Sequence, residues 1–97
     1  MRIMLVCGAG VSTSILMKKM MDYSKENNIA LEVKAYGFED AIGHFEEYDC
    51  VLTGPQIAYR IDDIKEVCQK PISAINPMDY GMGNAESVIK VAQDLLK

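Results

Sequence analysis

The sequence predicts an α/β protein in which a four-stranded parallel sheet is flanked by helices on both faces. Short apolar segments of strand length alternate along the chain with segments whose apolar residues recur at helical spacing. Strands that are separated by helices are joined by right-handed crossovers, which favours parallel pairing. In such sheets ligands bind beyond the carboxyl ends of the strands, where the strand order reverses. We therefore expect the functional site at that edge.

Four segments have the composition of strands. Residues 2–6 form an apolar run, and residues 31–36 alternate apolar and polar side chains, as expected of a strand near a sheet edge with one solvated face. Residues 50–52 are short and apolar, which is typical of a buried parallel strand. Residues 72–75 follow Pro71 and form the fourth predicted strand.

Helices are predicted between and after these strands. The first spans residues 14–26, a short one spans residues 38–45 although Gly43 weakens it, and a third spans residues 56–69. The last begins after Asn84, which is a suitable N-cap. Their expected core-facing residues are Leu16, Met20, Tyr23, Ile57, Ile61, Ile64, Cys68, Val88, Val91, Ala92 and Leu95.

One loop completes the predicted site. Residues 76–83 are rich in turn formers and are predicted to be irregular. Three segments are then expected to meet at the carboxyl edge of the sheet: the chain after Cys7, the turn at residues 53–56 and the loop at residues 76–83.

The length and the net charge limit the functions that the chain can have. Ninety-seven residues predict one domain, 1–97. The net charge of −4 gives no electrostatic case for a nucleic-acid or anionic membrane partner. No apolar stretch is long enough to insert into a membrane, and the N-terminal apolar run is too short for a secretion signal. These features predict a cytoplasmic protein.

The three cysteines do not form a recognisable metal or disulfide pattern. They lie at positions 7, 50 and 68, and an odd, scattered set is neither a disulfide framework nor a zinc motif. No clustered carboxylates suggest a metal, so neither a metal nor another cofactor is expected. Cys50 and Cys68 are expected to pack in the core, and His44 is expected on the surface.

Cys7 is the strongest candidate for chemistry. It ends the first strand, and a short glycine-bearing segment leads from it into the first helix. Backbone N–H groups that curl around a space at a helix N-terminus bind anions, and their field also stabilises a thiolate. A thiolate in a phosphate-sized nest is a nucleophile for phosphorus. The predicted phosphate-binding residues are Gly8, Ala9, Gly10, Val11, Ser12, Thr13 and Ser14.

Simpler interpretations of the same residues exist. A cysteine at a strand end is often only a small buried hydrophobic residue. Gly8 and Gly10 also suit an ordinary tight turn, and the hydroxyls of residues 12–14 also suit helix capping. The combination of all these residues beside one thiol favours the anion site.

Two departures argue against ester hydrolysis. Small tyrosine phosphatases and the related arsenate reductases place an arginine six residues after the cysteine, and here that position is Thr13. They also use a late Asp-Pro pair whose acid protonates the leaving oxygen, whereas this chain has Asn76-Pro77. The loop also lacks the lysine of a nucleotide-binding phosphate loop. It is suited to hold a phosphocysteine rather than to hydrolyse an ester.

Two motifs resemble those of a known family. Residues 7–14, Cys-Gly-Ala-Gly-Val-Ser-Thr-Ser, resemble the phosphocysteine loop of IIB components of the bacterial sugar phosphotransferase system. Residues 54–59, Gly-Pro-Gln-Ile-Ala-Tyr, are similar to a second signature of its lactose, cellobiose and chitobiose branch. With the length and the βα order, the resemblance covers essentially the whole chain.

The resemblance implies both a fold and a route for phosphate. The implied strand order is 2-1-3-4, as in the fold of low-molecular-weight tyrosine phosphatases. Cys7 would accept a phosphoryl group from a phosphohistidine IIA protein. It would pass the group to a sugar held by the IIC membrane component, such as a β-linked disaccharide like cellobiose, chitobiose or lactose.

Residues near the loop are candidates for a partner surface. These are Gly54, Pro55, Gln56, Tyr59 and Tyr80, although Tyr59 also fits simple helix packing. Two other functions remain open from sequence: a small cysteine phosphatase or arsenate reductase, and a regulatory module whose phosphorylation state another protein senses.

Overall fold

A four-stranded parallel sheet forms the centre of the computed structural model, which describes residues 1–7 and 14–97 and, at Gln56, only the backbone. The strands lie in the order β2-β1-β3-β4. Both the parallel pairing and the order agree with the predictions. The strands are β1 (Arg2–Cys7), β2 (Glu32–Gly37), β3 (Cys50–Thr53) and β4 (Ile72–Ala74).

Helices connect the strands and cover both faces of the sheet. The α-helices are α1 (Ser14–Glu26), α2 (Phe38–Ala41), α3 (Ile61–Cys68), α4 (Pro77–Met82) and α5 (Ala85–Leu95). Two 3-10 helices cover Phe45–Glu47 and Pro55–Arg60. The predicted helices at residues 14–26 and after Asn84 are confirmed.

The strand order of the sheet reverses between β1 and β3. From β1 it leads to β2 on one side, where Cys7 is the register partner of Gly37, and from β3 it leads to β4 on the other, where Thr53 pairs with Ala74. β1 and β3 are themselves neighbours, with Val6 opposite Thr53. The carboxyl ends of these two strands therefore frame the position at which parallel sheets bind ligands.

Strand alternation divides the core into two layers. Ile3 and Leu5 of β1 face one cluster, which α1 and α5 cover, whereas Met4 and Val6 face a second cluster that includes residues of α2 and α3. All four side chains are fully buried. Burying a side chain of this size contributes about 1.5–3 kcal/mol, so β1 is the apolar centre of the fold.

The exposure of individual strands also follows the sequence pattern. β2 is an edge strand in which Val33 is buried between exposed Glu32 and Lys34, whereas every residue of β3 is buried. Cys50, Cys68 and Met20 are core residues, as predicted. Within the described residues, no helix is both long and apolar enough to cross a bilayer.

The predicted loop at residues 76–83 is instead a short helix, α4. The Asn76 side chain accepts a hydrogen bond from the Met78 backbone N–H at 2.8 Å, and Pro77 occupies the first turn. Gly83 ends the helix in the left-handed conformation, with φ of 64°. The turn-forming residues that indicated a loop are thus the start and stop signals of a single short helix.

Two other predicted helices are shorter than expected. The segment 38–45 is α-helical only to Ala41, and Gly43 has a φ of 96°, a backbone conformation that excludes α-helix. The segment 56–69 begins as a 3-10 helix in which Ile57 has non-helical angles, and regular α-helix starts at Ile61. The apolar residues at positions 57, 61, 64 and 68 predict one continuous α-helix and do not mark where the 3-10 helix ends.

Candidate functional site

The carboxyl ends of the strands are tied together by backbone hydrogen bonds. The Gly54 N–H donates to the Val6 carbonyl at 2.8 Å, and the Ile75 N–H donates to the Thr53 carbonyl at 2.9 Å. These bonds fix the turn after β3 beside the end of β1 and the entry to α4 beside the end of β3. Of the three segments predicted to meet at this edge, the turn after β3 lies beside the end of β1, whereas the chain directly after Cys7 lies outside the described residues, so the meeting of all three stays a prediction.

Cys7 is the last residue of β1 and its side chain is only 1% exposed. Its thiol lies 3.9 Å from the Tyr36 carbonyl oxygen of the neighbouring strand. The side chain is thus held at the sheet edge, at the point where the strand order reverses. Cys7 is the predicted nucleophile, and its position at a strand end is as expected.

The predicted phosphate-binding loop lies mostly outside the described residues. Gly8, Ala9, Gly10, Val11, Ser12 and Thr13 are in this part of the chain, so their proposed role stays a prediction. Ser14, the last of the set, is exposed and begins α1.

The start of α1 has the electrostatic character of an anion site. No acidic residue occupies its first turn, so the positive end of the helix dipole is not neutralised locally. The sequence also places no arginine or lysine between Cys7 and Leu16. An anion at the end of β1 would therefore find no cationic side chain in this stretch of the sequence.

The predicted rim residues differ in exposure. Tyr59 is 81% exposed, so the alternative that it packs inside the protein is wrong. Gly54 is buried and Pro55 is half-buried at the start of the 3-10 helix, where proline suits the first turn. Tyr80 is half-buried and packs against the core cluster beneath α1 and α5. The side chain of Gln56 is outside the described part of the structure.

An apolar group of side chains beside the site was not identified from the sequence. Ile15 in the first turn of α1 is 69% exposed, and Met78 and Met82 on α4 are 71% and 70% exposed. We call these three residues the apolar rim. Met78 and Met82 were missed because residues 76–83 were predicted as a loop, in which the spacing of four residues carries no meaning.

A cleft lies between the first turns of α1 and the carboxyl half of α4. Its volume is about 190 Å³. Its lining residues are Ile15, Leu16, Lys19, Tyr80, Gly81, Met82 and Gly83. Two residues of the apolar rim, Ile15 and Met82, therefore line one concave surface near the carboxyl edge of the sheet.

Arg60 is engaged in local contacts near the end of β2. Its guanidinium carbon lies 3.7 Å from the centre of the Phe38 ring, and its Nε lies 3.8 Å from an Asp63 carboxylate oxygen. A cation over an aromatic face at this distance is held by the ring quadrupole. Arg60 therefore joins the 3-10 helix to the segment that follows β2.

His44 belongs to a separate aromatic cluster and is exposed, as predicted. It stacks on Tyr36 with ring centroids 5.2 Å apart and contacts the Glu47 carboxylate. The Tyr36 and Tyr48 hydroxyls are 3.0 Å apart, and burial, followed by this hydrogen bond, raises the pKa of Tyr48 to about 12. The partner carboxylate of His44 was not recognised from the sequence because residues 45–47 form a 3-10 turn.

The described residues form no metal centre. Across residues 1–7 and 14–97, no three His, Cys, Asp or Glu side chains are grouped so that they could hold an ion. Thr53, at the end of β3, has a fully buried hydroxyl with no hydrogen-bond partner in the described chain. The polar groups at this edge are thus a thiol, a hydroxyl and backbone amides.

The chain is thus an α/β protein with a cysteine at the switch point of a parallel sheet. Comparison with known proteins identifies the family. Residues 2–91 match the family described as "PTS system, Lactose/Cellobiose specific IIB subunit". The chain belongs to this family, the IIB components of the phosphotransferase system, which are sugar phosphotransferases.

The similarity to two relatives and to one solved structure extends over nearly the whole chain. The oligo-beta-mannoside-specific EIIB component of Bacillus subtilis is 29% identical over 98% of this chain and 95% of its own length. The galactose-specific EIIB component of Lactococcus lactis is 31% identical over 97% of this chain and 94% of its own length. A cellobiose-specific IIB component from Borrelia burgdorferi superposes with a TM-score of 0.83 at 34% identity, over 99% of this chain and 91% of that one.

Proposed function

We propose that this chain is a phosphocarrier in sugar uptake and that Cys7 carries the phosphoryl group. A phosphohistidine on a IIA protein is the donor, and a sugar held by the IIC membrane component is the acceptor. The observation that carries the proposal is the position of Cys7 at the end of β1, in a chain of the IIB family. Residues 1–97 act as one domain in the cytoplasm.

The first transfer forms a sulfur–phosphorus bond and breaks a nitrogen–phosphorus bond. The Cys7 thiolate attacks the phosphorus in line, and the donor histidine nitrogen leaves with the electron pair of the broken bond. In the second transfer a sugar hydroxyl oxygen attacks phosphorus, the Cys7 thiolate leaves, and the hydroxyl proton is released. Each step exchanges one bond to phosphorus for another, so the reaction requires no oxidant or reductant.

The transferring group carries negative charge on its three equatorial oxygens, and this charge must be distributed. We assign this role to the backbone N–H groups of residues 8–14 and to the hydroxyls of Ser12, Thr13 and Ser14. The unneutralised N-terminus of α1 supports the assignment, because its dipole favours an anion at this end. The proposed mechanism uses no metal and no other cofactor.

The partners approach the carboxyl edge of the sheet in turn. We propose that Pro55, Gln56, Tyr59 and Tyr80 belong to the surface that they contact, and that buried Gly54 shapes the backbone beneath it. The exposure of Tyr59 supports this role, because an isolated exposed tyrosine supplies contact area at little entropic cost. The apolar rim extends the same edge of the molecule toward α4.

The sugar is proposed from the family and its members. Named relatives are specific for oligo-beta-mannosides, galactose and cellobiose. We propose a β-linked disaccharide, such as cellobiose, chitobiose or lactose, for this chain. The IIC component holds the sugar, so the choice among these is made there and not in the IIB chain.

The experiment is intact mass spectrometry of the chain after incubation with phosphoenolpyruvate, the general phosphotransferase proteins and a IIA protein. We expect a gain of one phosphate, mapped to Cys7, which is lost when membranes containing IIC and its sugar are added. Phosphate on another residue, or no phosphate, would refute the assignment. Phosphorylation without transfer to any sugar would instead identify a regulatory module.

A second assay tests the alternative of a hydrolase. We expect no turnover of a generic aryl phosphate, because Thr13 occupies the position of the phosphatase arginine. Multiple turnovers that depend on Cys7 would identify a cysteine phosphatase, and arsenate reduction would identify the related reductase.

A further inference from the structure

The short helix α4 has little packing of its own. It contains six residues, and none of them is fully buried. An isolated helix of this length is unstable in water, so α4 depends on contacts with its neighbours. Its amino end has a cap from Asn76, whereas its last turn contains no basic residue of its own to offset the exposed carbonyl groups.

Lys19 of α1 supplies that cation from outside the helix. Its ammonium donates a hydrogen bond to the Met82 carbonyl oxygen, the last of α4, at 3.4 Å. The stem of Lys19 lies directly over Gly83, so a Cβ atom there would be 2.8 Å from Lys19 Cδ and 2.9 Å from Nζ. The absence of a side chain at Gly83 is what lets Lys19 reach the end of α4.

The same contact shapes the cleft between the two helices. Lys19 and Ile15 are one turn apart on α1, so they share the side of the helix that faces α4. Met82, whose carbonyl Lys19 binds, also lines the cleft and belongs to the apolar rim. Movement of the carboxyl end of α4 would therefore separate the rim residues of the two helices.

We propose that Lys19 is a positioning residue for phosphoryl transfer, because it fixes α4 against α1 and so holds the apolar rim in place for the phosphorylated partner. This inference rests on the function proposed above. Lys19 acts through α4 and does not touch the reacting group. Loss of the contact should therefore weaken partner binding and leave the chemical step intact.

The test compares Lys19→Met with Lys18→Met, an exposed neighbour on the same helix that loses the same charge. We expect the KM for the phosphorylated IIA donor to rise in Lys19→Met, by up to roughly fivefold, the limit set by the loss of one net hydrogen bond. The transfer rate at saturating donor should stay within about twofold. Lys18→Met should retain the wild-type KM, and Lys19→Arg should restore it.

Gly83→Asn tests the contact from the other side. Asparagine tolerates the left-handed backbone, yet its Cβ would displace the Lys19 stem. We expect the same rise in KM and faster amide hydrogen exchange across residues 78–83 in both Gly83→Asn and Lys19→Met. Exchange unchanged from wild type would overturn the inference, as would a fall in the saturating rate of Lys19→Met or an equal effect in Lys18→Met.

The exchange measurement requires no phosphoryl donor. If wild-type Cys7 accepts no phosphate, the proposed function fails, and amide exchange still reports whether Lys19 orders α4. If Cys7 is phosphorylated normally in all variants with no change in KM, only the role of Lys19 fails.

Discussion

At the scale of single residues, location rather than burial separates the three cysteines. All three are buried, but Cys7 ends β1 at the switch point, Cys50 begins β3 at the opposite edge, and Cys68 ends α3. Burial raises the pKa of the Cys50 thiol to about 11 and also raises the pKa of Cys68. Both groups are therefore protonated at neutral pH and serve as small core residues.

The raised pKa of Cys50 predicts a loss of stability at alkaline pH. Between pH 9.0, the ordinary value for the thiol, and about pH 11, the unfolded chain loses the proton while the folded chain keeps it. The unfolded state then binds fewer protons, so the free energy of unfolding decreases as pH rises. The loss from this residue is at most about 2–3 kcal/mol.

Chemical denaturation at pH 8 to 11 measures this effect. Cys50→Ala should be less stable than wild type at pH 8, because it leaves a small cavity, but it should lose less stability up to pH 11. Equal pH dependence in the two proteins would show that Cys50 does not titrate in this way. Tyr48 and Cys68 also contribute to the decrease in wild type and in Cys50→Ala alike, since each has a raised pKa in the fold.

Tyr59 allows a matched test of the partner surface. Tyr59→Ala should weaken binding of the IIA donor by several-fold without lowering the melting temperature, because the side chain is exposed. Val67→Ala is the control, since Val67 is 57% exposed on α3 and is not a rim residue. Donor titrations by calorimetry provide the affinities. Equal affinities of the two variants for the IIA donor would show that Tyr59 is not part of the partner surface.

The sequence predicted the core residues better than the surface ones. Met20, Cys50 and Cys68 were assigned correctly because apolar spacing reports which side of an element is buried. Tyr59 could not be assigned, since an aromatic residue on the predicted helix 56–69 fits both a core and a surface position. Tyr59 lies in the 3-10 helix that precedes α3, and the change from 3-10 to α-helix near Ile61 leaves no mark in the apolar pattern.

At the scale of elements, helix boundaries were predicted well where caps stood beside long apolar stripes. The Asn84 side chain accepts a hydrogen bond from the Ser87 backbone N–H at 3.4 Å, and buried Val88 and Ala92 follow on α5. In α4 the cap signals are as clear, yet only six residues separate them and no residue is buried. Without a stripe, the same signals indicated a loop.

The cap of α5 provides a stability prediction. Asn84→Ala should lower the free energy of unfolding by about 1 kcal/mol, because the first turn of α5 loses the acceptor for a backbone N–H. Gln93→Ala, at an exposed position within the same helix, should change it by less than about 0.5 kcal/mol. Urea denaturation of both variants measures the difference. A smaller loss in Asn84→Ala than in Gln93→Ala would contradict the capping role.

At the scale of the whole molecule, the sequence pattern established the parallel sheet, but strand order required the family resemblance. Alternating strands and helices fit several orders equally well, since periodicity does not say on which side of β1 each later strand pairs. The observed order β2-β1-β3-β4 places Cys7 and Gly54 at neighbouring strand ends. The contacts of Lys19 with α4 were beyond prediction, because Lys19 and Met82 are 63 residues apart in the chain.

The central claim is that phosphate passes through Cys7, and three single substitutions test it most directly. Cys7→Ser, Cys50→Ser and Cys68→Ser each place a hydroxyl at a buried position, at a comparable cost of about 1–3 kcal/mol. Folding, checked by circular dichroism, is therefore matched among the variants. A serine hydroxyl is a weak nucleophile without a general base, so only the Cys7 variant should lose phosphoryl transfer.

The decisive measurement is phosphate incorporation from the phosphorylated IIA donor into the three folded variants, read by intact mass. The account predicts one phosphate on Cys50→Ser and on Cys68→Ser and none on Cys7→Ser. A folded Cys7→Ser that accepts phosphate, or loss confined to either of the other two variants, would contradict it.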